Sequence, residues 1–160
     1  MHIHGLQKLA MVDYPGKLAA TVFTGGCNLR CPFCHNALLV TRLAETPEIP
    51  EQEVLDFLAS RRGLLDGVVL TGGEPLLQPD AADFLRKVRE LGFAVKLDTN
   101  GCDPARLAEI LNQGLVDYVA MRSAPPWCGS STGRRTWTPS PPGWQGRPGT
   151  IFRTLWTPAI

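Results

Sequence analysis

No apolar run in this sequence approaches the roughly 20 residues that cross a bilayer. The longest, such as Leu18 to Phe23, is a handful of residues, so neither a spanning helix nor a membrane partner is expected. The N-terminus, Met1-His2-Ile3-His4-Gly5, lacks a basic stretch followed by an apolar one, so no secretory leader is expected. Charge of one sign is also missing: 16 Lys+Arg face 15 Asp+Glu, a net charge of +1. That balance gives no electrostatic reason for a nucleic-acid partner. Cysteine is scarce, at five in 160 residues, and a chain expected in the cytoplasm keeps its thiols reduced, which argues against a disulfide framework. The length suits about one domain.

A second set of absences is local. Residues 122–160 contain no Asp, Glu or Lys, only Arg among the charged residues, and their branched aliphatics are limited to Ile151, Leu155 and Ile160. The same segment holds all four Trp and half of the 14 Pro. It offers no periodic apolar face, so little packed structure is expected in it. A boundary is placed after Met121: a core over 1–121 and an irregular, frameshifted or disordered tail over 122–160.

The core alternates strand and helix signals. Leu18–Thr24, Val68–Thr71, Ala94–Asp98 and Val116–Met121 are short, continuous apolar runs of the kind found in covered parallel sheets. Between them lie three helical stretches: Pro50 to about Arg62, Pro79 or Asp80 to Leu91, and one opened by Asp103-Pro104 and closed at Gly114. This order predicts an α/β barrel or a doubly wound sheet, with the active site at the carboxyl ends of the strands. Those ends read Gly25-Gly26-Cys27, Gly72-Gly73-Glu74-Pro75, Asp98-Thr99-Asn100-Gly101 and Met121.

Three of the five cysteines, Cys27, Cys31 and Cys34, form a C-x3-C-x2-C cluster. One loop with this spacing can wrap three thiolates around a metal centre. Three thiolates hold three irons of a 4Fe–4S cluster and leave the fourth iron open to a ligand. A zinc site of the three thiolates with His35 is the rival, and three unligated thiols the third possibility. Cys102 has no partner at motif spacing and reads as a structural thiol, and Cys128 as incidental. His2 and His4 could chelate by spacing, but a loose N-terminus argues against it.

The segment Gly26-Cys27-Asn28-Leu29-Arg30-Cys31-Pro32-Phe33-Cys34-His35-Asn36 resembles the signature of the radical S-adenosylmethionine (SAM) superfamily, and Gly72-Gly73-Glu74-Pro75 resembles its second motif. With Asp13-Tyr14-Pro15-Gly16 and Leu97-Asp98-Thr99-Asn100-Gly101, residues 5–121 are similar to the anaerobic ribonucleoside-triphosphate reductase activating proteins, a group of glycyl-radical activating enzymes. The resemblance implies a partial (β/α) barrel, here cut to about four strands and followed by the irregular tail. It implies that Cys27, Cys31 and Cys34 ligate a 4Fe–4S cluster whose open iron binds SAM. One electron from the cluster would split a SAM sulfur–carbon bond into methionine and a 5′-deoxyadenosyl radical. That radical would take a hydrogen atom from a glycine of the partner reductase, and a flavodoxin- or ferredoxin-like protein would supply the electron.

For SAM the resemblance points to Phe33 and the backbone of His35 near the adenine and to Gly72, Gly73 and Glu74 near the methionyl amino group. Asp98, Thr99 and Asn100 would hold SAM directly or through a cation. No residue is assigned as catalytic beyond these cofactor contacts. Each also has a plainer reading: Phe33 as core, the glycines as a turn, Asp98 as a cap. The chain departs from the group at Met121-Arg122-Ser123, where Asp-x-Lys is the pattern. Two other functions therefore stay open: a non-catalytic iron–sulfur or metal-binding fragment, and a radical SAM enzyme acting on a small molecule.

Overall fold

A computed structural model describes residues 1–32, 34–122 and 151–155, with Arg122 and the last five by backbone alone. Strands β1 (Ile3–Ala10), β2 (Ala19–Thr24), β3 (Gly67–Gly72), β4 (Ala94–Thr99), β5 (Tyr118–Arg122) and β6 (Ile151–Leu155) form one sheet, each beside its predecessor in the chain. β1 is antiparallel to β2, and every later pair is parallel. The helices α1 (Leu38–Thr41), α2 (Glu51–Ser60), α3 (Ala81–Glu90) and α4 (Pro104–Asn112) fall in the crossovers.

The strand order separates the two architectures left open by the sequence. A doubly wound sheet reverses direction at a switch point and carries helices on both faces. Here the order never reverses. The helix residues Val54, Leu58, Phe84, Leu85, Val88, Leu107, Ile110 and Leu111 join one core with Ala20, Val22, Val68, Leu70, Val95, Leu97 and Val119 from one side of the strands. The opposite side carries Ala19, Val69, Tyr118 and Ala120, packed with Tyr14 and no helix residue. This is the arrangement of a partial barrel, with a helix-covered outer face and an inner face.

The four expected strands appear as β2–β5 and the three expected helices as α2–α4, with shifts of one or two residues. Local chemistry explains the agreement. Asp103 caps α4 by accepting the Arg106 N–H at 3.0 Å, and Pro104 occupies its first turn. Gly63, Gly92 and Gly114 follow the three helices, all with positive φ. The sequence did not announce β1. Only its ends, Ile3 and Ala10, are buried, so it lacks the alternation that marks a half-buried strand. β6 is the second strand beyond the expected four, and its backbone pairs with β5 from Tyr118↔Ile151 to Arg122↔Leu155. The rest of the 122–160 tail, Cys128 included, lies outside the described residues.

The Asp13-Tyr14-Pro15-Gly16 turn closes the amino-terminal end of the inner face. Tyr14 is buried, with its ring 5.9 Å from that of Tyr118, and Asp13 accepts a hydrogen bond from Thr21 of β2 at 2.7 Å. Among the described residues no helix is long and apolar enough to cross a membrane.

Candidate active site

The carboxyl ends of β2, β3 and β4 are joined by a small set of buried polar contacts. Their centre is Glu74, 2 % exposed at the end of β3. Its carboxylate accepts the Leu76 N–H at 3.1 Å, the Thr99 hydroxyl at 2.7 Å and the Asn100 N–H at 2.7 Å. Glu74 therefore ties the β3 loop to the end of β4. Burial pushes its carboxyl above the ordinary value, and the three donors pull the other way.

The β3 loop is locked as firmly to the cysteine loop. Gly73 N–H donates to Thr24 and Glu74 N–H to Gly26, both at 2.8 Å. A Cβ on Gly73 would lie 1.9 Å from the Gly26 carbonyl oxygen. The close approach that the sequence suggested for a ligand is thus made by the protein's own backbone. Further ties come from Gln78 Nε2 to the Gly25 carbonyl at 2.9 Å, Asn36 Nδ2 to the Gly72 carbonyl at 3.0 Å, and Gly26 N–H to the Leu39 carbonyl at 2.9 Å. Both flanks of the cysteine loop are anchored, while Cys27, Cys31 and Cys34 themselves carry free, half-buried thiols.

Asn100 carries the β4 end onto that loop. Its Nδ2 donates to Asn28 Oδ1 at 2.7 Å and lies 3.9 Å from Cys27 Sγ. Leu29 N–H also points at Cys27 Sγ, at 3.4 Å. Two N–H donors aimed at one sulfur suit a thiolate ligand, since such bonds stabilise the anion and tune a cluster held by it. Burial raises the Cys27 thiol's pKa; the Leu29 and Asn100 donors lower it. Among the described residues, no three His, Cys, Asp or Glu side chains are already gathered tightly enough to hold a metal ion. The donor set fits an iron–sulfur centre in chemistry: three thiols on one anchored loop, with two hydrogen-bond donors aimed at the Cys27 sulfur.

The expected site residues divide into two groups. Glu74 and Thr99 are buried and bond each other on the helix-facing side. Asp98 and Asn100 alternate with Thr99 and so share the inner face. Asp98 pairs there with Lys96, Nζ to Oδ1 at 2.6 Å. Burial pushes the Asp98 carboxyl upward; Lys96 and the Thr71 hydroxyl oppose this, and the Asp13 charge adds to it. His35 is exposed, and Phe33 lies outside the described residues. In the sequence Asn28 and Asn36 read only as part of the cysteine segment, and Gln78 and Lys96 have no role. Only Lys96 left a signal there, as a lone cation inside an apolar strand. His2 and His4 serve neighbouring segments, His2 Nδ1 lying 3.0 Å from Glu48 and His4 Nδ1 3.1 Å from the Thr46 carbonyl. Cys102 is disulfide-bonded rather than carrying the single structural thiol expected.

Residues 21–122 match the model of the Radical SAM superfamily. Three similar proteins are a protein of Methanocaldococcus jannaschii named a glycyl-radical enzyme activating enzyme and the pyruvate formate-lyase-activating enzymes of Clostridium pasteurianum and Staphylococcus aureus. The first is 40 % identical over 123 residues, covering 74 % of this chain and 48 % of that protein. The second is 36 % identical over 114 residues, covering 68 % and 47 %. The third is 36 % identical over 107 residues, covering 63 % and 42 %. The chain thus spans less than half the length of these relatives.

Proposed function

The chain belongs to the radical SAM superfamily, whose members use a 4Fe–4S cluster and S-adenosylmethionine, and from that premise we propose that it is a glycyl-radical activating enzyme. Its target in this reading is the glycyl-radical subunit of an anaerobic ribonucleoside-triphosphate reductase in the cytoplasm, with a flavodoxin- or ferredoxin-like electron donor. The observation that carries the reading is the convergence of three strand ends on the cysteine loop: Gly73 against Gly26, Glu74 onto Asn100, and Asn100 onto Asn28 and Cys27. The names of the similar proteins support activation of a glycyl-radical enzyme. The Asp13-Tyr14-Pro15-Gly16 turn favours the reductase as target, through the resemblance stated above.

When bound, the cluster and SAM supply one-electron cleavage of a carbon–sulfur bond and, from it, hydrogen-atom abstraction. The protein's own residues prepare the place. Cys27, Cys31 and Cys34 would hold the irons. Leu29 N–H and Asn100 Nδ2 steady the Cys27 sulfur. Glu74, out of solvent, keeps the β3 and β4 ends in register, so the loop from Gly72 to Glu74 stays fixed relative to the cysteines. Asp98, on the inner face and ion-paired with Lys96, would help to hold SAM directly or through a bound cation. Tyr14 and Tyr118 pack together, both buried, at the far end of the inner face.

Anaerobic reconstitution with iron and sulfide, followed by a SAM-cleavage assay and electron paramagnetic resonance of the reductase, tests this. The expected result is 4Fe–4S absorbance, release of 5′-deoxyadenosine and a glycyl-radical doublet. The absent Asp-x-Lys step after Met121 favours the non-catalytic iron–sulfur reading, and cluster absorbance without SAM cleavage would establish it. Cleavage of SAM without a radical on the reductase would move the chain to another glycyl-radical enzyme or to a small-molecule substrate.

A further inference from the structure

Arg30 lies between the first two cysteines of the loop, and its exposed side chain turns back onto the loop itself. One guanidinium nitrogen, Nη1, donates to the Cys27 carbonyl at 2.7 Å and to the Leu29 carbonyl at 3.1 Å. Two carbonyl oxygens within reach of a single nitrogen converge, and their dipoles repel unless a donor or a cation stands between them. Between those carbonyls in the chain, Leu29 N–H points at Cys27 Sγ, at 3.4 Å. The segment Cys27–Arg30 is therefore curled, with an N–H turned to the sulfur and carbonyls gathered under the guanidinium. Backbone N–H groups turned inward in this way form the concavities that hold anions and iron–sulfur centres. The later part of the loop is turned by its own backbone, the Cys34 N–H donating to the Cys31 carbonyl at 3.2 Å. The earlier part has Arg30.

We propose that Arg30 is a positioning residue for the iron–sulfur centre: its guanidinium holds the stretch from Cys27 to Cys31 curled before iron arrives, and sets a positive charge beside the centre that raises its reduction potential. This rests on the radical SAM reading above and adds to it a residue that ligates no iron. A 4Fe–4S centre held by three thiolates is an anion, and it gains a further negative charge on reduction. A nearby cation stabilises the reduced form more than the oxidised one. Nη1 bonds the carbonyl of Cys27 itself, so the charge stands a short, fixed way from that ligand. The two roles separate chemically. A neutral amide can donate to the carbonyls, but only a cation shifts the potential, and because Arg30 is exposed salt screens part of that shift.

The test uses the full chain, reconstituted anaerobically at limiting iron and sulfide and without SAM, so no turnover is involved. It reads 4Fe–4S content per chain, the reduction potential by titration followed with electron paramagnetic resonance, and thermal melting of the apo-protein. Arg30→Met removes both donor and charge. Its loading should fall about fivefold, its potential should become more negative, and its apo-protein should melt like the wild type; methylguanidinium in the buffer should restore loading. Arg30→Gln keeps a neutral donor, so it should load better than Arg30→Met yet share its lowered potential, by a margin that narrows in high salt. Arg30→Lys should stay nearest the wild-type potential. If Arg30→Met takes up no cluster at all, the potential of Arg30→Gln decides by itself. Wild-type loading in Arg30→Met, a wild-type potential in Arg30→Gln, or a loss of loading matched by a loss of apo-protein stability overturns the proposal. A wild-type chain that takes up zinc, or no metal, in place of a 4Fe–4S centre overturns the radical SAM reading and this proposal with it. A wild-type chain that carries the cluster beside Arg30 variants that behave no differently leaves the former standing.

Discussion

Replacing Gly73 with alanine isolates the contact on which the site is assembled. The added Cβ would sit 1.9 Å from the Gly26 carbonyl oxygen and 2.6 Å from its carbonyl carbon. Carbon and oxygen do not approach so closely without a bond, so one backbone must yield by about an ångström or more. Neither can do so freely. Gly73 N–H and Glu74 N–H are committed to Thr24 and Gly26 at 2.8 Å, and Glu74 is held by three further donors. Overpacking of this kind costs about 3 kcal/mol, which corresponds to a fall of roughly 10 °C in Tm for a domain of this size. The displaced partner is the residue before Cys27, so cluster loading should fall along with stability. Gly26→Ala is the control. Its Cβ meets nothing within 4 Å, and the penalty comes only from φ +83, about 1–2 kcal/mol. The assays are thermal melting of the apo-protein and the iron content and absorbance after reconstitution. A Gly73→Ala chain with the stability and cluster content of wild type, deficient only in SAM binding, would refute this reasoning. It would return Gly73 to the simpler role of admitting a ligand.

Each of Cys27→Ala, Cys31→Ala and Cys34→Ala should lose the reconstituted 4Fe–4S spectrum, whereas Cys102→Ala should keep it; a full cluster in the Cys31 variant would sink the ligand assignment. Asn100→Ala removes the 2.7 Å bond to Asn28 and the donor at Cys27, so it should cost about 1 kcal/mol of stability and shift the cluster's reduction potential, read by redox titration against wild type. Glu74 gives a pH signature whose sign follows from burial. Its folded pKa is raised above the ordinary 4.5, so its contribution is most favourable at and below that value and declines as pH rises through the folded pKa. The Tm difference between wild type and Glu74→Gln, followed upward from pH 4.5, should therefore move against the wild type, and a flat difference would contradict the burial argument. The coding DNA around codon 121 should contain, in a neighbouring frame, an Asp-x-Lys step followed by further strand and helix patterns; its absence would make the 122–160 segment a genuine tail.

By itself the sequence determined the parallel core and the nature of the chemistry. Both are local signals. Short apolar runs ending in glycine, helices opened by Asp103-Pro104 and closed by glycine, and three thiols within eight residues all express themselves through near neighbours. Tertiary structure decided what depends on residues far apart in the chain. β1 became visible only through pairing, because its burial is confined to its two ends. The role of Gly73 depended on Gly26, which lies in another loop, and that of Glu74 on Thr99 and Asn100. The same holds for Asp98. Lys96 is its near neighbour along the strand, but the sheet adds Thr71 and Asp13 from far away in the chain. A motif names the groups that can do chemistry, but it cannot say which of them face the site and which are spent holding it together, because hydrogen bonds and packing act through space rather than along the chain.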